Sequence, residues 1–314
     1  MNYAMELLEN GQYTNVSNPK YVAVTLESDC NLFCKHCYWT HNKSNIPEVL
    51  DWSSQIQQLV EWDTEVAYAG RTLTERGVQF IERYHKASGK QIGIVDNGYT
   101  ILKFPSIMHL YEYVNISVDG IARDHDVQRG KKGSCEVAWK AICGLKQAGL
   151  DPIISTCVSP INIRNWGAFE EQVCESDTRM SCTPVLGVKG NKGRMPLFSE
   201  TELRTAFKKL LSGCGKLIKL SDPAHVRALL PILRDFTWEV DEVSYETEVG
   251  GVLISYQPLS LDTLTGRNLS WNGKFYVNVD ADDSLFDFQA TDKRVLEVAN
   301  MIAKEEHLLV REFI

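Results

Sequence analysis

Between Tyr21 and Leu186 short apolar runs alternate with longer stretches whose apolar residues recur every three or four positions. Tyr21–Leu26 (YVAVTL) predicts a short buried strand. DWSSQIQQLVEW, residues 51–62, puts Trp52, Ile56, Leu59 and Val60 at helical spacing, with Asp51 or Ser53 near the helix start. Further strands are predicted at TEVAYAG (64–70), QIGIVDNG (91–98), YVNISVDG (113–120), DPIISTCVS (151–159) and RMSCTPVL (179–186). Helices are predicted at TERGVQFIERYHKAS (74–88), SCEVAWKAICGLKQAG (134–149) and NWGAFEEQVCE (165–175). In the second of these Val137, Ala141, Leu145 and Ala148 share one face, and Gly149 is the expected C-terminal stop.

Strand, loop and helix in repetition imply parallel strands joined by crossover helices. Each strand runs into a loop rich in Gly, Asp, Asn or Ser, and in parallel barrels such C-terminal loops carry the chemistry. The six units fall short of a closed (β/α)8 barrel. The expected fold is α/β: a partial (β/α)6 TIM-like barrel with a small C-terminal α+β subdomain. The corresponding division is an N-terminal extension (1–20), a barrel core (21–190), a helical connection (191–236) and the C-terminal subdomain (237–314). In the last two, helices are expected near Ser199–Leu211 and Asp222–Phe236. Strands are expected at VGGVLISY and, after a turn at WNGK, at FYVNVD, and an amphipathic helix at TDKRVLEVANMIAKEE.

The length is enough for a full core without disulfide or metal staples. A net charge of -8 argues against a duplex nucleic-acid binder. No apolar run is long enough to span a bilayer, so no membrane partner is expected. The first twenty residues lack a basic region followed by an apolar one, which gives the expectation of no signal peptide and a cytoplasmic location. In that reducing setting clustered cysteines point to metal before disulfides.

The cluster is SDCNLFCKHCYWT, residues 28–40, with Cys30, Cys34 and Cys37 spaced C-x3-C-x2-C directly after the first strand. A structural zinc site uses four ligands; His36 or His41 is the available fourth donor. The spacing and its place in the strand–helix series resemble the cluster loop of the radical S-adenosylmethionine (radical SAM) superfamily. That resemblance extends over Tyr21–Leu186. It implies a 4Fe–4S cluster on Cys30, Cys34 and Cys37, with the fourth iron open to S-adenosylmethionine. It also implies reductive cleavage to a 5′-deoxyadenosyl radical that takes hydrogen from a substrate, and an electron donor such as flavodoxin or ferredoxin.

The same resemblance nominates cofactor-binding residues. His36 stands where the family often has an aromatic residue. Gly70 and Arg71 stand where it usually ends its second strand in Gly-Gly-Glu, and an arginine cannot accept from the cofactor's ammonium group. Asn97 lies in the Asp96-Asn97-Gly98 turn after the third strand. Ser117 and Arg129 match a serine and an arginine that contact ribose and carboxylate. Of Ser155 and Thr156, alternation lets only one face inward. Asn162 resembles an asparagine of peptide-modifying relatives. Asp119, His125 and Asp126 read equally as turn and capping residues.

Six further cysteines remain: Cys135, Cys143, Cys157, Cys174, Cys182 and Cys214. Cys143 reads as a small core residue within a helix. Cys157 and Cys182, on the fifth and sixth strands, are candidate hydrogen donors to a substrate radical, against the plainer reading of buried thiols. Gly273–Asn278 resembles the hairpin that opens cluster-bearing SPASM or Twitch extensions, with Asn278 in place of cysteine. The expectation is one cluster and a metal-free tail, against an unrelated Asn-Gly hairpin. Three functions are in play. The first is radical modification of a ribosomally made peptide, by epimerisation or crosslinking. The second is radical chemistry on a small metabolite, sugar or nucleotide. The third is a zinc-stabilised binding protein.

Overall fold

The computed structural model describes residues 18–27, 30–37, 49–185, 187, 193–240, 244–277 and 291–313. The strands are β1 (Tyr21–Val24), β2 (Glu65–Arg71), β3 (Ile92–Asp96), β4 (Tyr111–Ser117), β5 (Ile153–Val158), β6 (Met180–Pro184), β7 (Leu217–Leu220), β8 (Glu239–Val240), β9 (Tyr245–Val249), β10 (Val252–Tyr256), β11 (Gly266–Leu269) and β12 (Phe275–Val277). The α-helices are α1 (Ser53–Glu61), α2 (Glu75–Ser88), α3 (Ala122–Arg129), α4 (Ser134–Gln147), α5 (Trp166–Glu175), α6 (Glu200–Leu210), α7 (Pro223–Leu233), α8 (Leu259–Thr265) and α9 (Asp292–Phe313).

Among the described residues, twelve strands form one sheet, ordered β12-β11-β1-β2-β3-β4-β5-β6-β7-β10-β9-β8. From β11 through β1 to β7 and β10 every pairing is parallel. β12 and the β9–β8 pair close the two ends antiparallel. The six predicted units thus form an unbroken parallel series, and strands from the second half of the chain extend it on both sides. β7 lies inside the stretch expected to be only helical. The strands beyond Thr237 join this same sheet, β10 beside β7 and β11 beside β1.

Local sequence accounts for most of the elements. Thr74 caps α2 by accepting from the Gly77 amide (3.1 Å), and Gly89 ends it in the left-handed region. Ser199 and Glu202 form a capping box at the start of α6. Asp222 accepts from the Ala224 amide (2.8 Å) ahead of Pro223 at the start of α7. On α4 the buried stripe is Ser134, Ala138, Ala141, Ile142 and Leu145, rotated from the expected one. Cys143 falls off that stripe and is exposed, so it is no core residue. VGGVLISY is not one strand: Gly250 and Gly251 take positive φ and turn β9 into β10. The strand before the WNGK turn is β11, whose hairpin partner is β12. Asn278 and nearly all of the N-terminal extension lie outside the described residues.

Strand burial alternates with period two. Val22, Val24, Val66, Tyr68, Ile94, Ile116, Ile154 and Cys182 are buried in a core shared with Leu59, Phe80, Ala141 and Phe169 of the helices. Ala23, Ala67, Ala69, Ser117, Ser155, Cys157, Ser181 and Thr183 alternate with them and are only half-buried. These side chains are small and less covered than those of the core face, so the second face of the sheet is a shallow trough lined by Ala, Ser, Cys and Thr. Cys174 on α5 and Cys214 after α6 are paired as a disulfide with Cα atoms 6.3 Å apart. Among the described residues no helix is long and apolar enough to cross a membrane.

Candidate active site

The loop after β1 is anchored by other segments at several points. Cys34 is buried at 6% exposure, while Cys30 and Cys37 are half-buried. The Cys37 amide donates to the Cys34 carbonyl (3.2 Å), and the Lys35 amide to the Gln128 carbonyl on α3 (2.8 Å). Gly130 ends α3 with φ of 70°, and a Cβ there would sit 2.5 Å from the Phe33 carbonyl oxygen. Only glycine combines that φ with that approach, so this residue sets how closely α3 meets the loop. Arg194, from the β6–α6 connection, donates to the Cys34 carbonyl (3.4 Å) and to the Cys37 carbonyl. Asn97, after β3, donates to the Asn31 side chain (2.7 Å) and accepts from the Tyr99 amide (3.2 Å). The cysteine loop is thus held by groups from β3, α3 and the segment after β6.

Beneath the loop, past the end of β4, lies Asp119, fully buried. Arg129 approaches its carboxylate through Nε (2.5 Å) and Nη2 (2.9 Å), and the Cys157 amide donates to it (2.9 Å). Arg129 Nη1 is also 3.9 Å from Cys34 Sγ. Burial opposes the charge on Asp119, but Arg129 holds its carboxyl below the usual range. Burial also opposes the Arg129 charge, and Asp119 reverses this, so its pKa is raised. The ion pair is retained in a dry site because each charge has the other.

The two histidines here are neutral. The Asp119 amide donates to His125 Nδ1 (3.0 Å), which leaves the proton on Nε2, and burial lowers His125 to about 4. Burial likewise lowers His36 to about 4, with Asp119 pulling the other way from 3.9 Å. Asn162 donates to the Asp119 and Cys157 carbonyls (both 2.8 Å) and accepts from the Ser159 amide (2.9 Å). Gln128 donates to the Cys157 carbonyl (2.8 Å) and accepts from Ser159 (2.7 Å). Asp126 caps α4, accepting from Ser134 (3.0 Å) and the Cys135 amide (2.9 Å). Of the three residues read as turn or cap, Asp126 is a cap, His125 accepts the Asp119 amide, and Asp119 is the buried counter-charge of Arg129.

The remaining predicted residues divide by sheet face. Ser117 pairs in register with Ser155, and Ser155 with Ser181, giving a row of hydroxyls across the trough. Cys157 shares that face, in register with Thr183. Thr156 and Cys182 face the opposite way, into the helix-side core, where the Thr156 hydroxyl donates to the Val118 carbonyl (2.6 Å). The two candidate donor thiols therefore lie on opposite faces. Burial raises Cys157 to about 12, and raises Cys182 as well. Gly70 and Arg71 end β2 after an irregularity in register, with Arg71 opposite Asp96 on β3. The Arg71 side chain and His41 lie outside the described residues. Arg194 and Gln128 went unnoticed in the sequence. The only signal for either was a cation or amide outside the predicted strands and helices, which local pattern cannot connect to the cysteines.

Burial pushes the Cys34 thiol up to about 12, Arg129 pulls it down, and Cys37 and Cys30 add to the rise. Among the described residues no three His, Cys, Asp or Glu side chains converge into a ready-made ion site. The donor set nonetheless suits an iron–sulfur cluster. It consists of three electrostatically coupled thiols on one anchored loop, at the C-terminal edge of a parallel sheet, beside a buried cation able to balance thiolate charge.

No family model matches the chain. The sequence is 24% identical over 208 residues to Fe-coproporphyrin III synthase of Methanosarcina barkeri, a region covering 63% of this chain and 52% of that protein. It is 26% identical over 142 residues to pre-heme d1 synthase of Dinoroseobacter shibae, covering 42% and 35%. The chain thus matches about half the length, or less, of these curated relatives. Among solved structures, it is similar to Streptococcus suis SuiB bound to the precursor peptide SuiA, with a TM-score of 0.63 and 12% identity over 94% of this chain and 67% of SuiB. It is also similar to anSMEcpe with bound AdoMet and the Kp18Cys peptide, with a TM-score of 0.58 and 14% identity over 94% and 83%. The chain has the mixed α/β, partial-barrel architecture of these structures.

Proposed function

We propose that this chain is a radical S-adenosylmethionine enzyme that acts on a ribosomally made peptide, by epimerisation or crosslinking. The observation that carries the reading is the C-x3-C-x2-C loop, anchored at the C-terminal edge of a parallel sheet whose fold is shared with structures that bind AdoMet and peptides. In this reading Cys30, Cys34 and Cys37 hold one 4Fe–4S cluster. When bound, cluster and S-adenosylmethionine together supply a 5′-deoxyadenosyl radical that abstracts hydrogen from the substrate. Asp119 and Arg129 orient the Cys34 side of the loop and balance its charge. Asn97, Ser117 and Ser155, with His36, Gly70 and Arg71, surround the cofactor on the trough side. The Thr156 hydroxyl, committed to Val118, serves the sheet instead. Cys157, half-buried on the trough face, is the better hydrogen donor of the two candidate thiols; Cys182 faces the core.

The names of the curated relatives support a second reading, a small metabolite as substrate, because both are tetrapyrrole synthases by name. The zinc-stabilised binding protein has no comparable support. Anaerobic reconstitution tests the proposal. The wild type is expected to retain about four irons per chain, to absorb in the sulfur-to-iron charge-transfer region, and to form 5′-deoxyadenosine from S-adenosylmethionine under dithionite. The Cys30→Ala, Cys34→Ala, Cys37→Ala variant is expected to do none of these. Equal 5′-deoxyadenosine from both proteins ends the radical reading. Bound zinc in place of iron supports the third function, and about eight irons per chain overturns the metal-free tail.

A further inference from the structure

We infer that Thr183, Lys219 and Ser255 form a carboxylate-binding row on the trough face, and that the substrate is a peptide with an acidic side chain which this row holds. The inference deepens the peptide reading and rests on it for the chemistry that follows binding. Three adjacent strands build the row. Ser181 pairs in register with Leu217 and Cys182 with Ile218, which brings Thr183 and Lys219 side by side one position further along β6 and β7. Lys219 pairs with Ser255 on β10. Cys182, Ile218 and Ile254 are buried on the helix side. Alternation therefore puts all three polar side chains on the other face, with Cys157, the register partner of Thr183. Neighbouring strands lie about 4.8 Å apart, so the three side-chain bases span about 10 Å.

Among the described residues none of these three side chains has a hydrogen-bond or ion-pair partner. Lys219 is exposed, yet desolvation lowers its amine from the ordinary lysine value, and no neighbouring acid opposes that shift. An amine that is both reachable and partly desolvated stands in a recess, unlike a lysine on a convex surface with a full water shell. The next acid along the row, Glu246 on β9 opposite Ser255, accepts from Ser244 (3.3 Å). Lysine offers three N–H donors and no acceptor, and each flanking hydroxyl adds a donor, so the row matches the two oxygens of a carboxylate. Such charge-assisted hydrogen bonds are the strong ones. Leu217, half-buried, and Leu253, 37% exposed, pair in the preceding row of the same face and offer apolar contact to the carbon chain that carries the acid. Cys157 is two strands from Lys219, about 10 Å at the strand bases. A carboxylate held at Lys219 therefore brings atoms a few bonds away toward Cys157, which selects a peptide whose acidic residue lies close to the position that reacts.

The test reads acetylation of Lys219 by sulfosuccinimidyl acetate in reconstituted wild type, using peptide mass spectrometry with exposed Lys208 as the internal reference. The probes are acetyl-Leu-Glu-Leu-amide and glutarate, each beside its neutral counterpart, acetyl-Leu-Gln-Leu-amide and glutaramide, at about 10 mM to register weak binding. The Glu peptide is expected to slow Lys219 acetylation about threefold relative to Lys208, the protection given by a ligand at twice its Kd, and the Gln peptide to leave it unchanged. Glutarate is expected to protect less. Equal protection by glutarate keeps the row but overturns the peptide as its ligand in favour of a small free acid. Equal protection by the neutral amides, or none from any probe, overturns the row. Full protection retained in Thr183→Val/Ser255→Ala overturns the part given to the hydroxyls. Protection in a wild type that forms no 5′-deoxyadenosine under dithionite overturns the radical reading and leaves the row standing, and no protection in one that does form it overturns the row alone.

Discussion

Asp119 is the residue whose removal has the most calculable effect. Its carboxylate and the Arg129 guanidinium are both buried and meet through Nε at 2.5 Å and Nη2 at 2.9 Å. Asp119→Asn keeps an oxygen that can accept from the Cys157 amide and nearly the same volume, so the change isolates the charge. What it leaves is a buried guanidinium without its counter-ion, and breaking a buried pair in this way costs about 3–5 kcal/mol. Arg129→Met creates the opposite orphan, a buried carboxylate, at a similar cost. The double replacement Asp119→Leu/Arg129→Met removes both charges and is expected to cost far less than the sum of the singles. The assay is urea unfolding followed by tryptophan fluorescence. With a slope of roughly 3 kcal/mol per molar urea, each single variant lowers the midpoint by about 1–2 M. Singles that each cost below about 1 kcal/mol, or a double equal to their sum, would show that the pair is neither dry nor coupled, and the account of how α3 supports the cysteine loop would fail.

Two further outcomes follow from the geometry. Gly130→Ala puts a Cβ 2.5 Å from the Phe33 carbonyl at a φ of 70°, so the loop and α3 must part; iron retained after anaerobic reconstitution is expected to fall at least severalfold, and wild-type retention would refute the tight approach. Burial raises Glu306 to about 7 despite the donors Ser260 and the Leu259 and Ser260 amides, so the folded protein keeps a proton that the unfolded chain releases near 4.5; stability is then greatest below that pH and falls by about 3 kcal/mol as pH rises to 7, and Glu306→Gln should flatten the slope in a pH series of urea midpoints.

The parts legible in the sequence are those where one segment carries its own reason. β1 to β6 follow from alternation, and α2 announces its start with Thr74 and its end with Gly89. The cysteine loop is legible because its spacing and its place after a strand are both local. What escaped depends on partners far along the chain. β11 lies beside β1, although Gly266 is paired with Tyr21 from the other end of the sequence, and nothing in GRNL indicates a strand of this sheet. β7 joins β6 through only a short register in a stretch that reads as a link between helices. Arg194 reaches Cys34 and Cys37 from a distant connection.

Candidate-site residues show the same division at the level of roles. The resemblance to the radical SAM family nominated Arg129 as a carboxylate binder. The fold surrounds it with Asp119 and the Cys34 sulfur, a use visible only when β4 and α3 are brought together. Alternation stated that Ser155 and Thr156 must part, but the side each takes was settled by the helices that cover Thr156 and leave Ser155 open. The same covering puts Cys182 in the core and Cys157 in the trough. A strand tells which residues share a face; the packing of the whole sheet tells which face the helices cover. For an open sheet like this one, that second fact decides which thiol lies in the core and which does not.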